Sequence, residues 1–255
     1  MEMKLSNPLQ RTELFTRQQE VLNAQKTGEL HLTIIGVGAL GSLVAITAVK
    51  MGFTKITLFD DDIVNLHNLP NQFYGLGDLD KPKVEALRDT LVNYGAEEVN
   101  IHYEKFTEAS QSTEIVISCV DNMETRQKLF HTLRNRSNLK YYIETRMGLL
   151  NYQMFVLPAS NKGAWLRYQK YHLYPDNEAS PERCTAKSIL FTPMGLAEKV
   201  GVTLYHIARE EMINWYGITC DLTDMSKTGV VMFYDRTASQ EEYFATADKG
   251  ELIEA

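Results

Sequence analysis

Residues 36 to 41, Gly-Val-Gly-Ala-Leu-Gly, form a G-x-G-x-x-G that could hold a phosphate. Glycines at Gly36, Gly38 and Gly41 allow a tight turn. They also let the backbone N–H groups of the loop, with Val37, Ala39 and Leu40 between them, and the start of a following helix approach a phosphate or ribose closely. Asp60 lies downstream, at the head of an Asp60-Asp61-Asp62 run. A carboxylate there can accept hydrogen bonds from ribose hydroxyls. The bland alternative is that the glycines serve only close packing. The loop and acid alone do not separate NAD from ATP.

The elements needed to position these groups are legible around them. Residues 31–35 (HLTII) are an apolar run ending at Gly36, and Leu40, Val44, Thr47 and Ala48 then recur at helical spacing as far as Gly52. This reads as strand, tight turn, helix. A second strand over 55–59 (KITLF) ends in the aspartates. Pro82 at a first helical position precedes Val84, Leu87 and Leu91 on one face, which predicts an amphipathic helix. Residues 114–120 (EIVISCV) are apolar throughout, as a strand covered on both faces should be. A helix over 123–136 and a strand over 141–145 complete an alternation that argues for a parallel sheet with helices on both faces. From 151 the pattern changes. Residues 152–158 alternate weakly, 165–174 are aromatic-rich and 176–184 have loop composition. A long apolar helix is expected from Pro193 to Trp215, and a late strand over 230–235. No repeat or convincing linker divides the chain.

Composition narrows the classes. With 26 Lys+Arg against 33 Asp+Glu the formal charge is -7, so the basic surplus used for nucleic acid or anionic membranes is lacking. The first twenty residues are polar and mixed in charge, unlike a secretory signal, and no apolar run approaches a membrane span. Cys119, Cys184 and Cys220 are odd in number and far apart, and the histidines lack ligand spacing. A cytoplasmic protein without structural zinc is expected.

Longer segments carry a family resemblance. D-D-D-I-V-N-L-H-N-L-P-N-Q-F (60–73) resembles the D-x-D-x-V-x-x-S-N-L-N-R-Q signature of the ThiF/MoeB/E1 adenylating superfamily. D-K-P-K-V-E-A-L-R-D (80–89) looks like that family's G-K-P-K-a-E. V-I-S-C-V-D-N-M-E-T-R (116–126) is similar to its D-x-x-D-N-x-x-x-R, and L-F-T-R-Q (14–18) to its R-Y-x-R-Q. R-M-G-L-L-N-Y-Q-M-F-V (146–156) and R-C-T-A-K-S-I-L-F-T-P-M-G-L-A-E-K-V-G (183–201) resemble its later strand pair and its cysteine loop with helix.

The resemblance implies a Rossmann-like, doubly wound, mainly parallel sheet, continued by an antiparallel or mixed portion and a C-terminal helix. It implies one adenylation domain, with a helical arm over 1–29, a nucleotide-binding half over 30–150 and a carrier-binding half over 151–255. The implied reaction adenylates the C-terminal carboxylate of a ubiquitin-like or sulfur-carrier protein, a small β-grasp partner ending in Gly-Gly, with ATP and Mg2+. Lys83 maps onto the lysine at the phosphates and Asp121 onto the aspartate that helps hold Mg2+. Asn68 and Gln72 map onto residues at the phosphate end, Asp62 onto the second signature aspartate, and Val120 and Asn122 lie beside Asp121 at the strand end. Arg17 maps onto an arginine that crosses a dimer interface to the partner's ATP, so a homodimer is expected. Cys184 matches a loop cysteine that in some relatives bonds the activated carrier.

The sequence departs at Asn71, preceded by Pro70, where the family has an arginine. Arg17, Lys81 or Arg146 could supply the missing charge, or the chain could be a degenerate member that scaffolds a partner. An NAD-dependent oxidoreductase would leave the motifs beyond the glycine loop and Asp60 unexplained.

Overall fold

The computed structural model describes residues 13–175, 189–213, 215–223 and 230–234. Eight strands, β1 (His31–Ile35), β2 (Lys55–Phe59), β3 (Glu98–His102), β4 (Ile115–Ser118), β5 (Tyr141–Met147), β6 (Asn151–Pro158), β7 (Trp215–Asp221) and β8 (Val230–Tyr234), form one sheet. Their order is β3-β2-β1-β4-β5-β6-β7-β8. The first five pair in parallel, and the last three continue the sheet antiparallel. The expected α/β class and the change of pattern after 150 are both observed.

Helices cover both faces. On one side lie α1 (Ala24–Glu29), α2 (Ala39–Lys50), α3 (Lys83–Asn93) and α6 (Phe191–Ala208). They bury Val44, Ala48, Leu87, Leu91, Leu196 and Leu204 against Leu32, Ile34 and Ile56. On the other lie α4 (Met123–Leu133) and α5 (Lys162–Tyr171), which bury Leu129, Phe130, Trp165 and Tyr168 against Val116, Tyr142 and Phe155. β1 and β4 are buried almost throughout, which is why they read as continuous apolar runs. α6 approaches α2 closely at Gly201, where a Cβ would come within 3.2 Å of Thr47 Cγ2.

One expectation needs correction, and two elements were not foreseen. The apolar helix ends at Ala208 rather than Trp215, because Glu210 takes a left-handed backbone (φ 58°) and Glu211 N donates to the His206 carbonyl at 3.0 Å, closing the last turn; Trp215 instead opens β7. The aromatic stretch at 165–174 is largely helical. Asn161 accepts from Ala164 N at 3.0 Å to cap α5, and Trp165 Nε1 donates to the Pro158 carbonyl at 3.0 Å. β3 is an edge strand that alternates exposed and half-buried residues and carries no apolar run. Among the described residues no helix is long and apolar enough to cross a membrane.

Candidate active site

β1, β2 and β4 end at one level, because Ile35 pairs with Phe59 on one side and Ser118 on the other. Chain leaving them brings residues 36–41, 60–62 and 119–122 to one edge of the sheet. In open α/β sheets this carboxyl edge is where ligands bind.

The three glycines divide between packing and access. Gly36 has φ +83° and donates its N–H to the Phe59 carbonyl at 2.8 Å; a Cβ there would lie 2.9 Å from the Cys119 carbonyl oxygen. A Cβ on Gly41 would sit 1.9 Å from the Gly36 carbonyl oxygen. Both positions are closed to any side chain. Among the described residues a Cβ at Gly38 would meet only Gln72 Nε2, at 3.9 Å. Packing therefore explains Gly36 and Gly41 and leaves Gly38 facing open space. Gly38 is also the N-cap of α2, which no side chain caps, so the first-turn N–H groups of Ala39, Leu40 and Gly41 and the positive end of the helix dipole meet that space. Leu40 turns its side chain into the core, so only its backbone is available here.

Asp60 secures the loop from the next strand. Its Oδ2 accepts from Val37 N at 2.7 Å and its Oδ1 from Asp62 N at 2.9 Å. Burial pushes its carboxyl up from the usual carboxylate value, opposed by those two N–H donors.

Residues 65–74 fold back over the loop. Asn65 and Asn68 cap each other, with Asn65 N donating to Asn68 Oδ1 at 2.9 Å, so this oxygen of Asn68 is spent on the local turn. Asn71 donates its backbone N–H to the Asn68 carbonyl at 3.2 Å. Phe73 N donates to Ser42 Oγ at 3.1 Å, and Tyr74 OH to the Val37 carbonyl at 2.6 Å. Tyr74 and Ser42 are thus loop anchors, and sequence reading missed both. A phenol 37 residues away and a serine inside an apolar helix carry no spacing signal. Gln72 Oε1 is buried without a hydrogen-bond partner among the described residues, an acceptor beside Gly38 that a bound ligand can satisfy.

Lys83 opens α3, yet its side chain is only 6% exposed and its Nζ donates to Asp62 Oδ2 at 2.8 Å. It is not the solvated surface lysine that a helix start would suggest. Asp62 is 67% exposed, so the pair has a buried cation and a hydrated anion. Asp61 and Asp62 are exposed, and the carboxylates of Asp60, Asp61 and Asp62 lie within 4.8 Å of one another. Lys105 Nζ sits 3.6 Å from Asp61.

At the end of β4, Asn122 caps α4 by accepting from Thr125 N at 2.8 Å, and Asp121 is left exposed, accepting from Asn122 Nδ2 at 3.1 Å. The residue before them, Val120, offers its carbonyl to Arg126 Nη2 at 2.5 Å. Cys119 is packed against the core, and burial pushes its thiol up to about 12, which makes it inert.

Two expected residues are elsewhere. Arg17 is exposed in a short 3-10 turn (Thr16–Gln18), whose Gln18 Nε2 donates to the Lys50 carbonyl at 3.1 Å. That is the C-terminal end of α2, roughly 18 Å along the helix from the glycine loop at 1.5 Å per residue. Arg146 does not replace the missing arginine. Its Nε is 3.0 Å from Glu144 Oε2, and its Nη2 donates to Tyr168 OH and the His172 carbonyl, all inside the molecule. Cys184 lies outside the described residues. Lys81 is half-exposed and pairs with Asp78 at 3.3 Å.

A glycine loop at a helix N-terminus, an acid at the end of the second strand and a buried lysine beside it, on a doubly wound sheet, form the arrangement of α/β proteins that take nucleotides at the sheet's carboxyl edge. Residues 10–239 match the ThiF family, and the chain belongs to it. The sulfur carrier protein ThiS adenylyltransferase of Escherichia coli (strain K12) is 26% identical over 186 residues, covering 70% of this chain and 69% of that protein. Ubiquitin-like modifier-activating enzyme 5 of Rattus norvegicus is 32% identical over 142 residues, or 49% of this chain. The chain spans about a third of the length of that relative, 35%. The crystal structure of E. coli MccB with AMPCPP and MccA has the same fold, at a TM-score of 0.64 and 14% identity, over 93% of this chain and 74% of that one.

Proposed function

We propose that the chain is an ATP-dependent adenylyltransferase. It would join the C-terminal carboxylate of a small ubiquitin-like or sulfur-carrier protein to AMP and release pyrophosphate. The observation that carries this reading is the buried Lys83 ammonium, held by Asp62 beside the open face of the glycine loop. A buried cation at this position suits the concentrated negative charge of a triphosphate.

The nucleophile is an anion already, so no proton need be moved. A carboxylate oxygen forms the new bond to the α-phosphorus while the bond to the pyrophosphate oxygen breaks and negative charge grows on the leaving group. Catalysis is then a matter of alignment and charge neutralisation. The N–H groups at the start of α2 receive phosphate oxygens in the space before Gly38. Asp60 keeps unused lone pairs for ribose hydroxyls. Lys83 exchanges Asp62 for the triphosphate, and its flexible stem follows the charge to the leaving group. Gln72 and Asn71 line the phosphate end, and Val120 and Asn122 the wall beside it. The exposed Asp121 carboxylate is a hard oxygen donor and fits Mg2+, which supplies charge neutralisation at the phosphate oxygens when bound.

Arg17 serves this site only from a second copy. A helix length separates it from the loop of its own chain, beyond the reach of one side chain. The proposed enzyme is therefore a homodimer. Cys184, in the same reading, takes the acyl group as a thioester with departure of AMP.

The test is ATP–pyrophosphate exchange with a carrier ending in Gly-Gly. Exchange is expected with the free C-terminus and absent with an amidated one. Binding of Mg-ATP without exchange in either case would contradict the enzyme and favour the scaffold reading that Asn71 raises.

A further inference from the structure

Behind the wall that carries Asp121 lies a buried ionic cluster with no part yet in the site. Arg126, four residues into α4, is 6% exposed, and Glu144 in β5 is fully buried. Arg126 Nε donates to Glu144 Oε1 at 2.5 Å, while its Nη2 donates to the Val120 carbonyl at 2.5 Å and to the Thr145 carbonyl at 2.9 Å. Arg146 Nε closes on both oxygens of Glu144, at 3.1 and 3.0 Å. Thr145 Oγ1 donates to the Ser118 carbonyl at 2.6 Å, two residues before Val120.

Two guanidinium groups on one carboxylate leave a surplus positive charge in the interior. Clusters of this kind are costly to desolvate and add little to stability compared with apolar packing. This one does something apolar packing cannot. A planar guanidinium with donors in a fixed fork holds three acceptors at once, two of them backbone carbonyls, one just past the end of β4 and one in β5. One of those is the peptide immediately before Asp121. Beyond Ser118 the chain has left the β4 ladder, and Asn122 is already spent as a helix cap. Between them, residues 119–121 take their course from the Cys119 N–H bond to the Ile35 carbonyl, 2.8 Å, and from Arg126 on Val120.

We propose that Arg126, oriented by Glu144, is a positioning residue for Asp121: it fixes the strand exit so that the exposed carboxylate stands at the metal position of the nucleotide site. The assignment of Asp121 rests on the adenylyltransferase reading, and the position of the strand exit does not. Arg126 itself touches no reacting atom. Its effect passes through one peptide group.

Arg126→Lys keeps the charge and loses the fork; Glu144→Gln keeps shape and an acceptor and loses the charge that orients the guanidinium. In full-length protein, both are expected to raise the Mg2+ concentration for half-maximal ATP–pyrophosphate exchange about tenfold, the scale of outer-shell changes at metal sites, with the KM for ATP at saturating Mg2+ within about twofold. Amide hydrogen exchange of residues 119–122 in the ligand-free protein is expected to speed up by a similar factor, with the β2 and α2 peptides unchanged. Tyr168→Phe removes an acceptor from Arg146 without touching the strand exit, and it should leave both readouts at wild-type values. Wild-type hydrogen exchange at 119–122 in Arg126→Lys and Glu144→Gln would overturn the proposal, as would an equal Mg2+ shift in Tyr168→Phe. If wild-type protein supports no pyrophosphate exchange, the adenylyltransferase reading fails, and hydrogen exchange still decides whether Arg126 holds the strand exit.

Discussion

Lys83→Met lowers the rate of ATP–pyrophosphate exchange by about a thousandfold while leaving the fold intact, the scale expected when a preorganised charge is removed from a developing anion. Methionine preserves most of the buried stem, so no large cavity opens. The pair is asymmetric, with the lysine side chain 6% exposed and Asp62 67% exposed. Removing the ammonium therefore leaves an aspartate that water can solvate, and unfolding stability should change by no more than about 1 kcal/mol. Steady-state exchange and urea unfolding on the same protein check the two halves together. A stability loss of several kcal/mol with residual exchange would mean that Lys83 is a structural ion-pair member and no part of a triphosphate site.

The second large effect is steric. Gly41→Ala places a methyl 1.9 Å from the Gly36 carbonyl oxygen, a backbone atom that cannot swing aside. Either α2 moves off the sheet or the loop opens. The expected cost is about 3 kcal/mol, at the upper end for overpacking, together with loss of measurable nucleotide binding. Gly38→Ala is the matched control. It meets only the end of Gln72 at 3.9 Å and should stay within about 1 kcal/mol of wild type, because alanine is merely a poorer cap than glycine. The methyl would stand in the space assigned to phosphate, so affinity for ATP should still fall. Calorimetric titration with ATP and urea unfolding separate the two glycines. Equal behaviour of the two variants would remove the distinction between packing and access.

Much of this arrangement was legible in sequence, for a common physical reason. β1 and β4 are covered on both faces and so read as continuous apolar runs, and the glycine loop and Asp60 lie at their ends at short chain separation. β3 escaped because an edge strand with exposed Glu98 and Asn100 lacks that pattern. The expected helix overruns to Trp215, the first residue of β7, because Met212, Ile213 and Trp215 resume an apolar pattern after Arg209-Glu210-Glu211. What stops α6 is the left-handed Glu210. Within the site, the glycine motif did not show which glycines pack and which face a ligand. That depends on contacts between Gly41 and Gly36, and between Gly36 and Cys119, 83 residues further along the chain. The burial of Lys83 was equally hidden, because its partner Asp62 is 21 residues away in the loop after β2. Arg146 was considered as a substitute for the family arginine at Asn71, and its strand position gave no sign that Glu144, two residues before it, holds it inside.

In the proposed reaction a carboxylate oxygen of a carrier C-terminus becomes bonded to the α-phosphorus of ATP. This step is tested most directly by incubating the protein with Mg-ATP and a Gly-Gly carrier whose terminal carboxylate bears oxygen-18, then recovering AMP after the activated carrier is discharged by an amine. Oxygen-18 is expected in the phosphate of AMP, and about a thousandfold less of it in the same time when Lys83→Met replaces wild type. AMP released without the label would contradict it, because the phosphorus would then have been attacked by something other than the carboxylate.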